Sequence, residues 1–149
     1  MEANAQVMER RSKSISAIRH LVACRNDVLS LLGQIAAQQP FENADDTREV
    51  VLDFCEALID YTATAHFQLY RFIDNKQERR QSVVSLADDI YPRVMVSTQV
   101  ILDFNDKYDG EKEKWDLKNL ASDMSTLGEA LADRIEYEDQ LIELLTSGR

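Results

Sequence analysis

The residues able to do chemistry in this chain are few, and their spacing restricts what they could do. There are two histidines, His20 and His66, and two cysteines, Cys24 and Cys55. A carboxylate-bridged di-metal centre in a helical protein needs paired Glu-x-x-His motifs or several inward histidines. Here Ala17 and Ala63 stand three positions before the two histidines, so neither site can be built, and two histidines are too few for a hemerythrin-like cluster. The sequence also lacks a GxxxxGK[ST] phosphate loop, a GxGxxG fingerprint and a Gly-x-Ser-x-Gly elbow. A Cys55–His66 nucleophile–base pair is the remaining catalytic arrangement. A cysteine in a helical apolar stripe is ordinarily inert core, so the reading is of a protein that binds without catalysing, with no metal and no cofactor.

Charge narrows the class of partner. Against 27 acidic residues stand 17 lysines and arginines, a formal net charge of −10. That field repels phosphate backbones, which argues against direct nucleic-acid binding, and it attracts a basic partner. With no CxxC spacing, the cysteines read as small core hydrophobes of a reducing compartment. No apolar run has transmembrane length, and Met1 to Lys13 has no apolar signal-like core, so the expectation is a cytoplasmic protein away from membranes.

The elements that must position these residues are helices. Four glycines and two prolines among 149 residues disfavour a turn-rich β fold. Leu117, Leu120, Met124, Leu127 and Leu131, resumed by Leu141 and Leu145, recur at spacings of three and four after a potential N-cap at Asp116. Ala87, Ile90, Val94, Ser97, Ile101, Phe104 and Tyr108 form a second seam, with Pro92 predicting a kink or break near Ile90. A third seam, Val51, Cys55, Leu58, Thr62, Ala65, Leu69 and Phe72, predicts a helix over about 46–74. A first helix carries Ile18, Leu21, Val22, Val28, Leu29, Leu32 and Ile35, and it ends near Gln38, before Pro40. The polar stretch before Ser14 is expected as a separate short helix or a frayed end. One stripe per helix and short connections predict a single all-α domain, an up-down antiparallel four-helix bundle, monomeric when free.

Charged residues break these seams at Arg25 in the first helix and at Arg134 and Glu138 in the last. The latter two are four apart and can pair directly. Buried charges persist only when paired, so the expectation is an internal ion-pair network, with a polar cleft open to a partner as the other reading. On the second helix, at roughly 100° per residue, Phe67 falls on the face of Glu56 and Asp60, away from the stripe. It is either covered by a neighbouring segment or an exposed anchor for a partner. His66 and Tyr70 fall at the edge of the stripe, and His66 reads first as a satisfied core histidine.

The run from Asp53 to Tyr61, continued by His66, Phe67 and Tyr70, resembles the regulator of sigma D family, also called Rsd/AlgQ, whose pattern is DFCxxLVDYxSxGHFxxYE. Tyr91-Pro92 with Thr98, Gln99 and Asp103 is similar to that family's third helix. Gly128 to Leu131 with Arg134, Glu138, Asp139 and Leu141 is similar to its GEALxxRFxLEDxLI stretch. The resemblance covers most of the chain from about Arg25 onward.

What the resemblance implies is an anti-sigma factor regulating transcription. Such a protein sequesters the primary sigma factor of bacterial RNA polymerase by binding its basic, C-terminal, promoter-reading region. It also implies partner contacts at Asp60 and Phe67, and at His66 and Tyr70, with Glu56 beside them. Arg19-His20-Leu21 replaces the family's Asp-Arg-Trp, Arg71 stands where Glu is common, and Ala63-Thr64-Ala65 replaces Ser-x-Gly. These departures motivate the alternative of an adaptor for another partner, such as an alternative sigma factor or a stress (alarmone) enzyme.

Overall fold

The computed structural model describes residues 2–41, 44–70, 80–108 and 117–146; within these, side chains are described from Ile15 onward except at residues 44 and 69, and before it only at Ala5. The chain runs through α1 (Glu2–Ala36), α2 (Ala44–Ala65) with a π-helical turn (His66–Tyr70), α3 (Gln81–Tyr108) and α4 (Leu117–Thr146). The segment before Ser14, expected as a separate helix or a frayed end, is the first part of α1. The seam residue Leu69, the predicted end of the second helix at Asp74 and the Asp116 N-cap lie outside what is described.

Contacts between remote residues set the topology. Gln38 and Thr47 meet where α1 passes to α2, and His20 meets Gln68 at the other end of that pair. Phe54 packs edge-on against Phe104, and Tyr70 against Tyr91, so α2 and α3 are antiparallel. Lys107 reaches Asp123, and Arg80 donates to the carbonyls of Leu144 and Leu145. These last bonds satisfy carbonyls that a helix end leaves open and place a cation at its negative pole. The result is an up-down four-helix bundle, in which α1 packs chiefly on α2 and α3 on α4.

The seams predicted for the last two helices are the ones that pack. All seven seam residues of α3 are buried, as are Leu120, Met124, Leu127, Leu131, Leu141 and Leu145 of α4. On α1, Leu29 is exposed and Ile18, Leu21, Val28 and Ile35 carry the contact. On α2 the buried stripe is Val51, Phe54, Cys55, Leu58, Tyr61 and Ala65, with Thr62 only half-buried at its edge. The stripe is thus centred one position away from the predicted line, because the large rings of Phe54 and Tyr61 bury more apolar area than the cysteine and threonine beside them.

Pro92 does not break α3, which is helical from Gln81 to Tyr108. A proline removes one backbone donor and leaves the carbonyl four residues earlier unbonded. Asp88 and Pro92 are both exposed, so water can serve that carbonyl and the helix continues.

Candidate functional site

Arg134 heads the fully buried side chains of this core by volume. Its Nε donates to the Tyr61 hydroxyl at 3.2 Å and to Glu138 Oε1 at 3.3 Å, and its Nη1 donates to Thr98 Oγ1 at 2.8 Å and Ser97 Oγ at 3.2 Å. Tyr61 donates to the Glu138 carboxylate, lying within hydrogen-bonding distance of both oxygens. The guanidinium also lies 5.2 Å from the centre of the Tyr61 ring. Three helices are therefore tied by one polar knot inside an apolar bundle. Charge-assisted bonds of this kind offset part of the cost of taking the ions out of water. Arg134 and Glu138 side chains are 2% and 0% exposed, so their mutual ion pair is buried. Arg25 makes its ion pair with Asp139, an exposed residue, at 2.8 Å, and its charge also acts on Glu138.

Burial governs the titration of these groups. Desolvation raises the Glu138 pKa, outweighing the lowering by Arg134, the Tyr61 hydrogen bond and Arg25. Burial is likewise the largest cause holding the phenols of Tyr61 and Tyr70 above their ordinary value, assisted by the Glu138 charge.

Two grooves are lined in part by α2 and its π-helical end. The first is acidic, about 430 Å³, between α1 and α2, and is lined by Asp27, Asp53, Glu56 and Asp60 among others. The second, about 280 Å³, lies between the end of α2 and α3 and is mainly apolar, with Ile59, Phe67, Tyr91 and Met95 among the residues lining it and Tyr70 and Arg134 at its buried side. Glu56 and Asp60 thus line a different groove from His66, Phe67 and Tyr70, although an ideal helix places Phe67 on the Asp60 face. The π-helical turn from His66 to Tyr70 accounts for the separation: its wider winding rotates each residue less than the α-helical 100°.

Within the second groove, Phe67 is 57% exposed and sits edge-on to His66. His66, expected as a core histidine, is exposed. Tyr70 is buried, 5% exposed. Cys55 is buried and His66 exposed, eleven residues further along, a rise of roughly 16 Å on a helix. They form no nucleophile–base pair. Cys55 lies in the core and Cys24 is half-buried near Thr64. Among the described residues, no group of three or more His, Cys, Asp or Glu is arranged to hold a metal ion. Nor is any described helix long and apolar enough to cross a membrane.

Sequence reasoning missed Ile59, Tyr91 and Met95. Their signal was present: Tyr91, Met95 and Leu102 are exposed apolar residues recurring at helical spacing off the α3 core seam.

Residues 1–146 match the family described as regulator of RNA polymerase sigma(70) subunit, Rsd/AlgQ. The chain belongs to the Rsd/AlgQ family. Among curated proteins it is 33% identical over 93 residues to the Regulator of sigma D of Yersinia enterocolitica, covering 61% of this chain and 56% of that protein. It is 34% identical over 98 residues to the Regulator of sigma D of Enterobacter sp., covering 64% of this chain and 59% of that protein. The matched stretch thus spans less than two thirds of these Rsd/AlgQ relatives. No solved structure gives a significant match.

Proposed function

We propose that this protein is an anti-sigma factor that binds and sequesters the sigma(70) subunit of RNA polymerase through that subunit's C-terminal, promoter-reading region. The observation that carries the reading is membership of a family of sigma(70) regulators over nearly the whole chain. Physical support comes from the two grooves. A basic DNA-reading module is drawn to a net charge of −10 and to the carboxylates of Asp27, Asp53, Glu56 and Asp60. The exposed ring of Phe67 is the type of rigid aromatic that anchors an interface. Asp60 and Glu56 then steer and orient the partner, while Phe67 and His66 supply contact area and Tyr70 forms the floor beneath them.

The complex forms in the cytoplasm, one to one, from a monomeric free protein, and involves no turnover. Size-exclusion chromatography of the protein mixed with the isolated C-terminal region of sigma(70) tests this. Co-elution at low salt that disperses as salt rises is the expected result. Absence of co-elution at low salt overturns it.

A further inference from the structure

The groove between the end of α2 and α3 has Tyr70 and Arg134 at its floor. Among the described residues, the buried Tyr70 hydroxyl has no hydrogen-bond partner. A buried hydroxyl left unsatisfied is costly, so its position under a groove calls for an acceptor. Arg134 lines the same floor. Its Nε and Nη1 are engaged with Tyr61, Glu138, Ser97 and Thr98, which leaves Nη2 as its donor without an assigned partner. The walls, from Ile59, Ala63, Phe67, Tyr91, Val94 and Met95, are apolar. An apolar cleft with a few converging polar groups is the usual form of a small-molecule site, and about 280 Å³ lies near the lower end of the range for such sites.

The geometry points to a binding site for a small monocarboxylate with an aliphatic or aromatic body, its carboxylate seated on the Tyr70 hydroxyl and the Arg134 guanidinium. The Arg134 guanidinium can only donate and the Tyr70 hydroxyl can donate, so an acceptor fits both, whereas an ammonium is repelled by the guanidinium charge. A carboxylate accepts from both at once and gains the charge-assisted strength that an alcohol lacks. The hydrocarbon part lies against Ile59, Val94 and Met95. The Glu138 carboxylate, whose charge reaches the Tyr70 phenol, is held by Tyr61 and Arg134. A single short acid accounts for the whole groove, whereas a partner protein's interface extends over some 20–30 residues a side. The inference does not depend on the sigma(70) reading, because binding is read on the protein alone.

The test is a titration of the isotope-labelled full chain with hexanoate, and in parallel with hexan-1-ol, followed by two-dimensional NMR. The expected result is millimolar binding of hexanoate, as suits so small a ligand, with shifts centred on Ile59, Tyr70 and Met95. Hexan-1-ol should bind more weakly. Tyr70→Phe, which keeps the ring and removes the donor, should weaken hexanoate about tenfold and leave hexan-1-ol unchanged. Met95→Trp, which fills the groove from an exposed position, should abolish both. Equal binding of acid and alcohol, shifts centred elsewhere, or no hexanoate binding to the folded wild-type protein would each overturn the assignment.

Discussion

The hydroxyl of Tyr61 on α2 donates to the carboxylate of Glu138 on α4, in the dry centre of the bundle. Neither side chain has water to fall back on, since both residues are fully buried. Arg134 closes the arrangement by donating to both and to two hydroxyls on α3.

Breaking this knot from one side should cost more than removing its ions together. Arg134→Met leaves the Glu138 carboxylate buried without its cation, and about 3–5 kcal/mol of unfolding free energy should be lost. The double variant Arg134→Met/Glu138→Leu should recover most of that loss. Urea denaturation of the wild type, both single variants and the double variant gives the comparison. A double variant no more stable than Arg134→Met alone would show that the ions are not the energetic centre of the knot.

The raised pKa of Glu138 carries a pH dependence of definite sign. Burial is its first cause, so the folded state keeps this proton at pH values where the unfolded chain has released it. The stability it contributes is therefore fully present below the ordinary carboxylate range and is lost as pH rises through the folded value. Glu138→Gln lacks the equilibrium. The stability of the wild type relative to Glu138→Gln should fall as pH rises from about 4 toward neutrality. Denaturant midpoints at both ends of this range measure it, and a relative stability that instead rises with pH would mean that Arg134 outweighs desolvation.

At the proposed partner surface the two grooves should behave differently. Phe67→Ala should weaken the sigma(70) complex by more than about 1 kcal/mol, mainly through faster dissociation. It should leave folding stability nearly unchanged, because the ring is largely exposed. Asp60→Asn should instead slow association and flatten its salt dependence. Surface plasmon resonance at several salt concentrations separates these effects; unchanged kinetics in either variant removes that residue from the interface.

Much of this protein was determined by the sequence alone, for a local reason. Helical periodicity is a property of neighbouring residues, so the α3 seam from Ala87 to Tyr108 and the α4 seam from Leu120 to Leu145 could be read before any packing was known. The i, i+4 pairing of Arg134 with Glu138 is local too, and it was legible. The long run from Asp53 to Tyr70 carried the family resemblance.

Tertiary structure decided what lies between helices. No spacing announces that Tyr61, Ser97 and Thr98 will meet Arg134, because those contacts join residues 36 to 73 positions apart. The identity of the α2 stripe depended on which side chains found deep neighbours, and that favoured Phe54 and Tyr61 over Thr62. The place of Phe67 depended on a change of winding at His66 that a fixed 100° step does not contain. Local periodicity thus set which residues face inward along most of each helix. Packing between helices set which of them touch, and so where the exposed groove and its polar floor are.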